Sequence, residues 1–176
     1  MFRVLLVPFL VILILAKTTS TSNIAAVLFV IGAATDGLDG YLARRYSAST
    51  RTGQWLDPLA DKMLVAAPVI TLTALGRFPA WAAIVIVVRE VGIALLRVVL
   101  GLRGVALPAS RAAKVKTSLQ LVAITLYILP LGHDASTAKL TVLVVAVALT
   151  VVTGVDYLIQ TGMLRRPGRP AAKGLP

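Results

Sequence analysis

The sequence predicts an all-α integral membrane protein with six transmembrane helices. Hydrophobic residues make up 58% of the chain and its mean hydropathy is +0.90, well above the values of soluble globular proteins. Apolar runs recur along the chain, at 4–16, 24–34, 63–75, 80–88, 119–131 and 140–152. They lack the apolar–polar alternation of a membrane β-barrel, so we expect helices, the other structure that satisfies its backbone in lipid.

Polar residues, Gly and Pro delimit the predicted spans. Spans one to three are expected at 3–17, 23–46 and 57–76. Ser22 or Asn23 is the expected cap of span two, and Asp57 that of span three, with Pro58 in its first turn. Spans four to six are expected at 79–100, 111–131 and 138–162. Residues 1–162 therefore form one transmembrane domain, and the Pro-, Gly- and Arg-rich residues 163–176 form a basic, disordered cytoplasmic tail.

The net charge of +11 does not indicate nucleic-acid binding, because the basic residues flank the apolar runs. With six spans and both termini in the cytoplasm, the outer side carries only Lys17, Arg77 and Lys139, while Arg89 falls within span four. The remaining Lys and Arg residues lie on the cytoplasmic side, as the positive-inside rule requires. The distribution predicts a multi-pass protein of the inner or plasma membrane.

Four of the seven acidic residues are Asp36, Asp39, Asp57 and Asp61. On a helix, positions 36, 39, 40, 43 and 44 share one face, and positions 57 and 61 share a face of the next helix. Carboxylates near a bilayer are costly unless they have a partner. Oxygen-only ligands suit Mg²⁺ or Mn²⁺, so we predict that these four carboxylates hold two ions at the cytoplasmic end of the bundle. Solvated acids, or acids paired with basic neighbours, are the alternative.

The acidic residues belong to a longer motif that resembles the signature of the CDP-alcohol phosphatidyltransferases. It reads Asp36-x-x-Asp39-Gly40-x-x-Ala43-Arg44, then eight residues, then Gly53-x-x-x-Asp57-x-x-x-Asp61. The resemblance implies that an alcohol displaces CMP from a CDP-linked lipid at the cytoplasmic face, in a homodimer embedded in membrane lipids.

The resemblance also implies a role for each signature residue. Asp36, Asp39 and Asp57 bind metal, and Asp61 binds metal or acts as the general base. The small residues and the arginine contact the CDP-lipid: Gly40, Ala43 and Gly53 line the cytidine site, and Arg44 contacts the diphosphate.

Other segments resemble family members that use CDP-diacylglycerol and sn-glycerol 3-phosphate. They are Leu56-Asp57-Pro58-Leu59-Ala60-Asp61-Lys62, Arg89-Glu90 and Lys114-x-Lys116-Thr117-x-x-Gln120. A phosphorylated acceptor needs cations beside the metal site, and we predict that Arg89, Lys114 and Lys116 hold its phosphate. The alternatives are a topogenic role for the two lysines and an interhelical ion pair for Arg89.

Three other functions compete with this interpretation. Family members that use inositol 1-phosphate share the signature. A cation transporter also holds acids in a membrane. A purely structural scaffold is the third alternative, but it would not need four carboxylates on two neighbouring helices. The acids lie toward the cytoplasmic end rather than at the bilayer midplane, which favours the transferase. Family members usually carry an amphipathic stretch ahead of the first span, so we expect the natural start to lie upstream of Met1.

Overall fold

The computed structural model describes the backbone of residues 2–46, 53–102 and 111–162 of the 176-residue chain. Side chains in these ranges are described except at 2–4, 36–46, 53–61, 101–102, 111–114, 133 and 160. The basic tail predicted at 163–176 lies outside the described residues.

The described backbone is helical, which confirms the predicted all-α class for these ranges. The helices are α1 (Phe2–Leu15), α2 (Thr19–Tyr46), α3 (Gly53–Ala74), α4 (Ala80–Leu102), α5 (Arg111–Ile128) and α6 (Ser136–Gln160). A short 3₁₀ turn, His133–Ala135, precedes α6.

Within the described residues, one helical stretch is long and apolar enough to cross a membrane, Ser136–Ile159 of α6. Shorter apolar stretches occupy Leu5–Leu15, Thr19–Thr35, Lys62–Ala74 and Val115–Ile128. Charged residues shorten or interrupt the other helices: Asp36 follows the apolar part of α2, and α4 carries Arg89, Glu90 and Arg97. The arrangement of six spans therefore stays a prediction.

The start of α2 differs from the sequence prediction, which placed the cap at Ser22 or Asn23. The helix begins at Thr19. The amide of Thr21 donates to Oγ1 of Thr18 at 3.1 Å, and the amide of Thr18 donates to Oγ1 of Thr21 at 3.3 Å. This reciprocal pair of bonds satisfies amide groups at the helix start, so the helix begins one turn earlier than predicted.

The start of α3 was also predicted too late, because the Asp57-Pro58 pair matches the start of a helix. The helix begins at Gly53 and includes both residues. Proline lacks an amide hydrogen but does not always end a helix, so the pair lies inside α3 rather than at its cap. The helix ends at Ala74, and Gly76 just after it has a φ of +67°, which glycine readily adopts.

The helices pack around one apolar core. α1 contacts α2 and α3, α5 contacts α2, α3 and α6, and α4 contacts α3 and α6. Each helix contributes a fully buried side chain to this core, respectively Leu10, Phe29, Leu72, Ile86, Ile124 and Leu143. The outer surface is also rich in apolar groups, with large apolar side chains exposed on every helix from α1 to α6.

Candidate active site

The acidic motif lies on two neighbouring helices. Residues 36–44 belong to the second half of α2, residues 53–61 open α3, and the two helices contact each other. The helical backbone confirms that Asp36, Asp39, Gly40, Ala43 and Arg44 follow one another along a helix. The side chains of these residues, and those of Gly53, Asp57, Asp61 and Lys114, lie outside the described ones. Their predicted roles therefore stay predictions.

The donor set of this motif fits a magnesium or manganese site. Four carboxylates supply hard oxygen ligands, which these ions prefer, and the chain contains no cysteine that would favour a softer metal. The contact between α2 and α3 brings together the two helices that carry the carboxylates. Asp36, Asp39, Asp57 and Asp61 are the residues that would hold the metal.

A buried ion cluster begins one residue after the motif. The ammonium group of Lys62 on α3 donates to Oε2 of Glu90 on α4, and that of Lys116 on α5 donates to Oε1. Nη1 of Arg89 lies 2.9 Å from the same Oε1. Glu90 is 6% exposed and Lys116 is 2% exposed, so one carboxylate joins cations from three helices inside the bundle. We call Lys62, Arg89, Glu90 and Lys116 the Glu90 cluster.

Arg89 extends this cluster to α6. Its Nη2 donates a long hydrogen bond of 3.4 Å to Oγ1 of Thr153. The next residue of α6 is Gly154, where an added Cβ would lie 3.5 Å from Cγ of Arg89. A Cβ at position 154 would therefore make an ordinary van der Waals contact with the arginine. Nε of Arg89 is buried without a hydrogen-bond partner among the described residues.

The charges of the Glu90 cluster do not balance among its own members. Among the described side chains, three cationic groups contact one carboxylate. Burying charge in an apolar surround is costly unless it is paired, so a cluster with excess positive charge favours binding of an anion. A phosphate group carries suitable charge and accepts several hydrogen bonds from Lys and Arg.

The structure brings together Arg89 and Lys116, two of the three residues predicted to hold an acceptor phosphate. Their contact with a phosphate stays a prediction. Arg89 was alternatively expected to pair with an acid on another helix, but its observed partner is its neighbour Glu90. Sequence reasoning assigned no site role to Lys62, Glu90 or Thr153. The signal for Glu90 was present, because an acid inside an apolar span requires a partner.

An apolar groove of about 450 Å³ lies between α2 and α5. It is lined by residues of α2 and α5, including Phe29, Ala33, Ala34, Leu121 and Leu126. Ala34 precedes the first motif residue by two positions. The lining therefore comes within two residues of the acidic motif in sequence, and its mainly apolar side chains suit a hydrocarbon chain.

The family model of the CDP-alcohol phosphatidyltransferases matches residues 1–152. This match covers most of the chain, including the acidic motif and the Glu90 cluster. The chain therefore belongs to the CDP-alcohol phosphatidyltransferase family, as the motif predicted.

The sequence is also similar to the sequences of several named relatives. A probable phosphatidylglycerophosphate synthase of Mycobacterium tuberculosis (strain H37Rv) is 42% identical over 137 residues, which cover 78% of this chain and 65% of the relative. A CDP-diacylglycerol–glycerol-3-phosphate 3-phosphatidyltransferase of Bacillus subtilis is 37% identical over 170 residues, 88% of each chain. The enzyme of the same name from Escherichia coli K12 is 36% identical over 165 residues, covering 90% of this chain and 89% of that one.

Removing the central carboxylate should destabilise the bundle. We expect Glu90→Gln to lower the stability by about 3–5 kcal/mol, because it leaves buried cations without a counter-charge. The measurement is the thermal unfolding midpoint in detergent, compared with Lys116→Met and with the double variant. Glu90→Gln/Lys116→Met should be more stable than the two separate losses predict, since it removes both members of one pair. Strictly additive losses would show that Glu90 and Lys116 are not coupled.

Proposed function

We propose that this protein is a phosphatidylglycerophosphate synthase, which moves the phosphatidyl group of CDP-diacylglycerol to sn-glycerol 3-phosphate. The observation that carries this proposal is the position of the Glu90 cluster, which begins at Lys62, directly after Asp61 of the CDP-alcohol motif. A cation-rich cluster next to the motif suits an acceptor with its own phosphate. The names of the relatives from Bacillus subtilis and Escherichia coli support the same acceptor.

The proposed reaction exchanges one phosphorus–oxygen bond for another. The terminal hydroxyl oxygen of glycerol 3-phosphate attacks the β-phosphorus of the CDP-lipid, the diphosphate bridge breaks, and CMP leaves with the bridging oxygen. Asp61 accepts the hydroxyl proton as general base. Two divalent ions, held by Asp36, Asp39, Asp57 and Asp61, would offset the charge of the diphosphate when bound.

The remaining predicted residues bind the two substrates. Gly40, Ala43 and Gly53 lack bulk where the cytidine approaches the backbone, and Arg44 neutralises the diphosphate. Arg89, Lys114 and Lys116 hold the acceptor phosphate. Glu90 keeps Arg89 and Lys116 in place through its buried carboxylate. An acyl chain of the lipid lies in the groove between α2 and α5, whose lining is mainly apolar.

The same proposal places the protein across the inner or plasma membrane with six spans and cytoplasmic termini. Large apolar side chains are exposed on all six helices, and soluble proteins rarely expose such extensive apolar surface. The basic residues favour the same orientation. A homodimer, as the family resemblance implies, completes the proposal, and cross-linking in native membranes tests it. Recovery of monomer alone would contradict the dimer.

The orientation can be tested directly because the chain has no cysteine. We expect a membrane-impermeant maleimide to label Gly132→Cys in intact spheroplasts. It should label Ala171→Cys only after the membrane is opened. The reverse labelling pattern would contradict cytoplasmic termini, and the cysteine-free parent is the control.

The reaction is tested by measuring CMP release from CDP-diacylglycerol by the purified protein in detergent with Mg²⁺. We expect release with glycerol 3-phosphate, none with inositol 1-phosphate, and none after addition of EDTA. Asp57→Asn should reduce release by roughly ten- to a hundredfold, since it replaces a charged oxygen ligand of the predicted metal site with a neutral amide. Release with inositol 1-phosphate alone would show that inositol 1-phosphate is the acceptor, and the proposed family chemistry would still hold.

A further inference from the structure

Gln120 is a buried amide on α5 without a hydrogen-bond partner among the described atoms. It is 2% exposed, and neither Oε1 nor Nε2 forms a hydrogen bond with any described residue. It follows Lys116 by four residues, so both residues lie on the same face of α5. A buried amide that bonds nothing destabilises a protein. The buried position of this amide, one helical turn from Lys116, is therefore unfavourable unless a polar group from outside the chain hydrogen-bonds to it.

The chemistry of the amide indicates which group that is. Oε1 accepts a hydrogen bond and Nε2 donates one, which matches a hydroxyl, itself both donor and acceptor. A phosphate accepts hydrogen bonds but, as a dianion, offers Oε1 no hydrogen. The cations Lys116 and Arg89 suit the charged part of a ligand, and the neutral Gln120 suits a neutral polar part. Nε of Arg89, also buried and unpartnered, adds a second free donor in the same cluster.

We propose that Gln120 is a specificity-determining residue that binds the secondary hydroxyl of the phosphorylated acceptor. This inference rests on the proposed function. In glycerol 3-phosphate the secondary hydroxyl lies on the carbon between the phosphate-bearing carbon and the reacting terminal hydroxyl. A residue one helical turn from the phosphate-binding Lys116 can therefore hydrogen-bond to the secondary hydroxyl while the terminal hydroxyl faces the CDP-lipid. Acceptors without that hydroxyl leave the amide buried and unpaired, and are rejected.

The test compares two acceptors that differ only in this hydroxyl, glycerol 3-phosphate and 3-hydroxypropyl phosphate. The value of kcat/KM for CMP release is measured for each with the wild-type protein, Gln120→Met and the control variant Leu119→Met. Methionine has nearly the shape of glutamine but cannot hydrogen-bond as an amide does. We expect the wild type and Leu119→Met to prefer glycerol 3-phosphate by roughly ten- to a hundredfold. Gln120→Met should have nearly equal values for both acceptors.

An unchanged preference in Gln120→Met would overturn the inference, and so would an equal loss with both acceptors, which would show a structural role. If Gln120→Met does not fold, Gln120→Asn replaces it, since its shortened amide should also lose the preference. A wild-type protein that releases no CMP with either acceptor would overturn the proposed function as well. A wild type that uses both acceptors equally would leave that function standing and overturn the role of Gln120 alone.

Discussion

The carboxylate of Glu90 is the point at which four of the helices are held in register. It receives Lys62 from α3 and Lys116 from α5, and its neighbour Arg89 reaches Thr153 on α6. A buried ion cluster of this kind adds little stability compared with apolar packing, but removing one member leaves an uncompensated charge. The helices can therefore slide or rotate against one another only by breaking these contacts. The cluster thus favours one arrangement of a bundle whose core is mainly apolar.

This constraint links the fold to the chemistry of the family. Glu90 and Lys116 are buried within the bundle, and α3 carries the last acid of the motif one residue before Lys62. A shift of α3 that moved the predicted metal ligands would also break the contact with Glu90. The same side chains that fix the helices supply excess positive charge. Structure and proposed phosphate binding therefore depend on one set of residues.

Much of this arrangement could be predicted from the sequence. The all-α class follows from apolar runs, and the family follows from eight fixed residues at fixed spacing. Local detail was harder: two helix starts were predicted about one turn late, because several Ser, Thr, Asp and Asn residues compete as caps. Thr18 and Thr21 form their reciprocal bonds, a choice that residue type alone does not make.

The sequence could not predict which residues far apart in the chain contact one another. Lys62 and Lys116 meet Glu90 from 28 and 26 residues away, and their contacts depend on how three helices rotate as they pack. The sequence identified Arg89 and Lys116 as candidate members of one pocket, but not the carboxylate between them. Gln120 was part of a resembling segment, yet only its burial without a partner gives it a candidate role. The absence of partners can be recognised only after packing is known.

The most direct test of this account is a solid-state NMR measurement of phosphorus–nitrogen dipolar coupling. The protein carries ¹⁵N-labelled lysine in a phosphorus-free detergent, and glycerol 3-phosphate supplies the only phosphorus. The account predicts coupling between this phosphorus and the ammonium nitrogen of Lys116, with loss of that signal in Lys116→Met. If a separate portion of the same preparation releases CMP from CDP-diacylglycerol, the absence of coupling to Lys116 would contradict the proposed role of the Glu90 cluster.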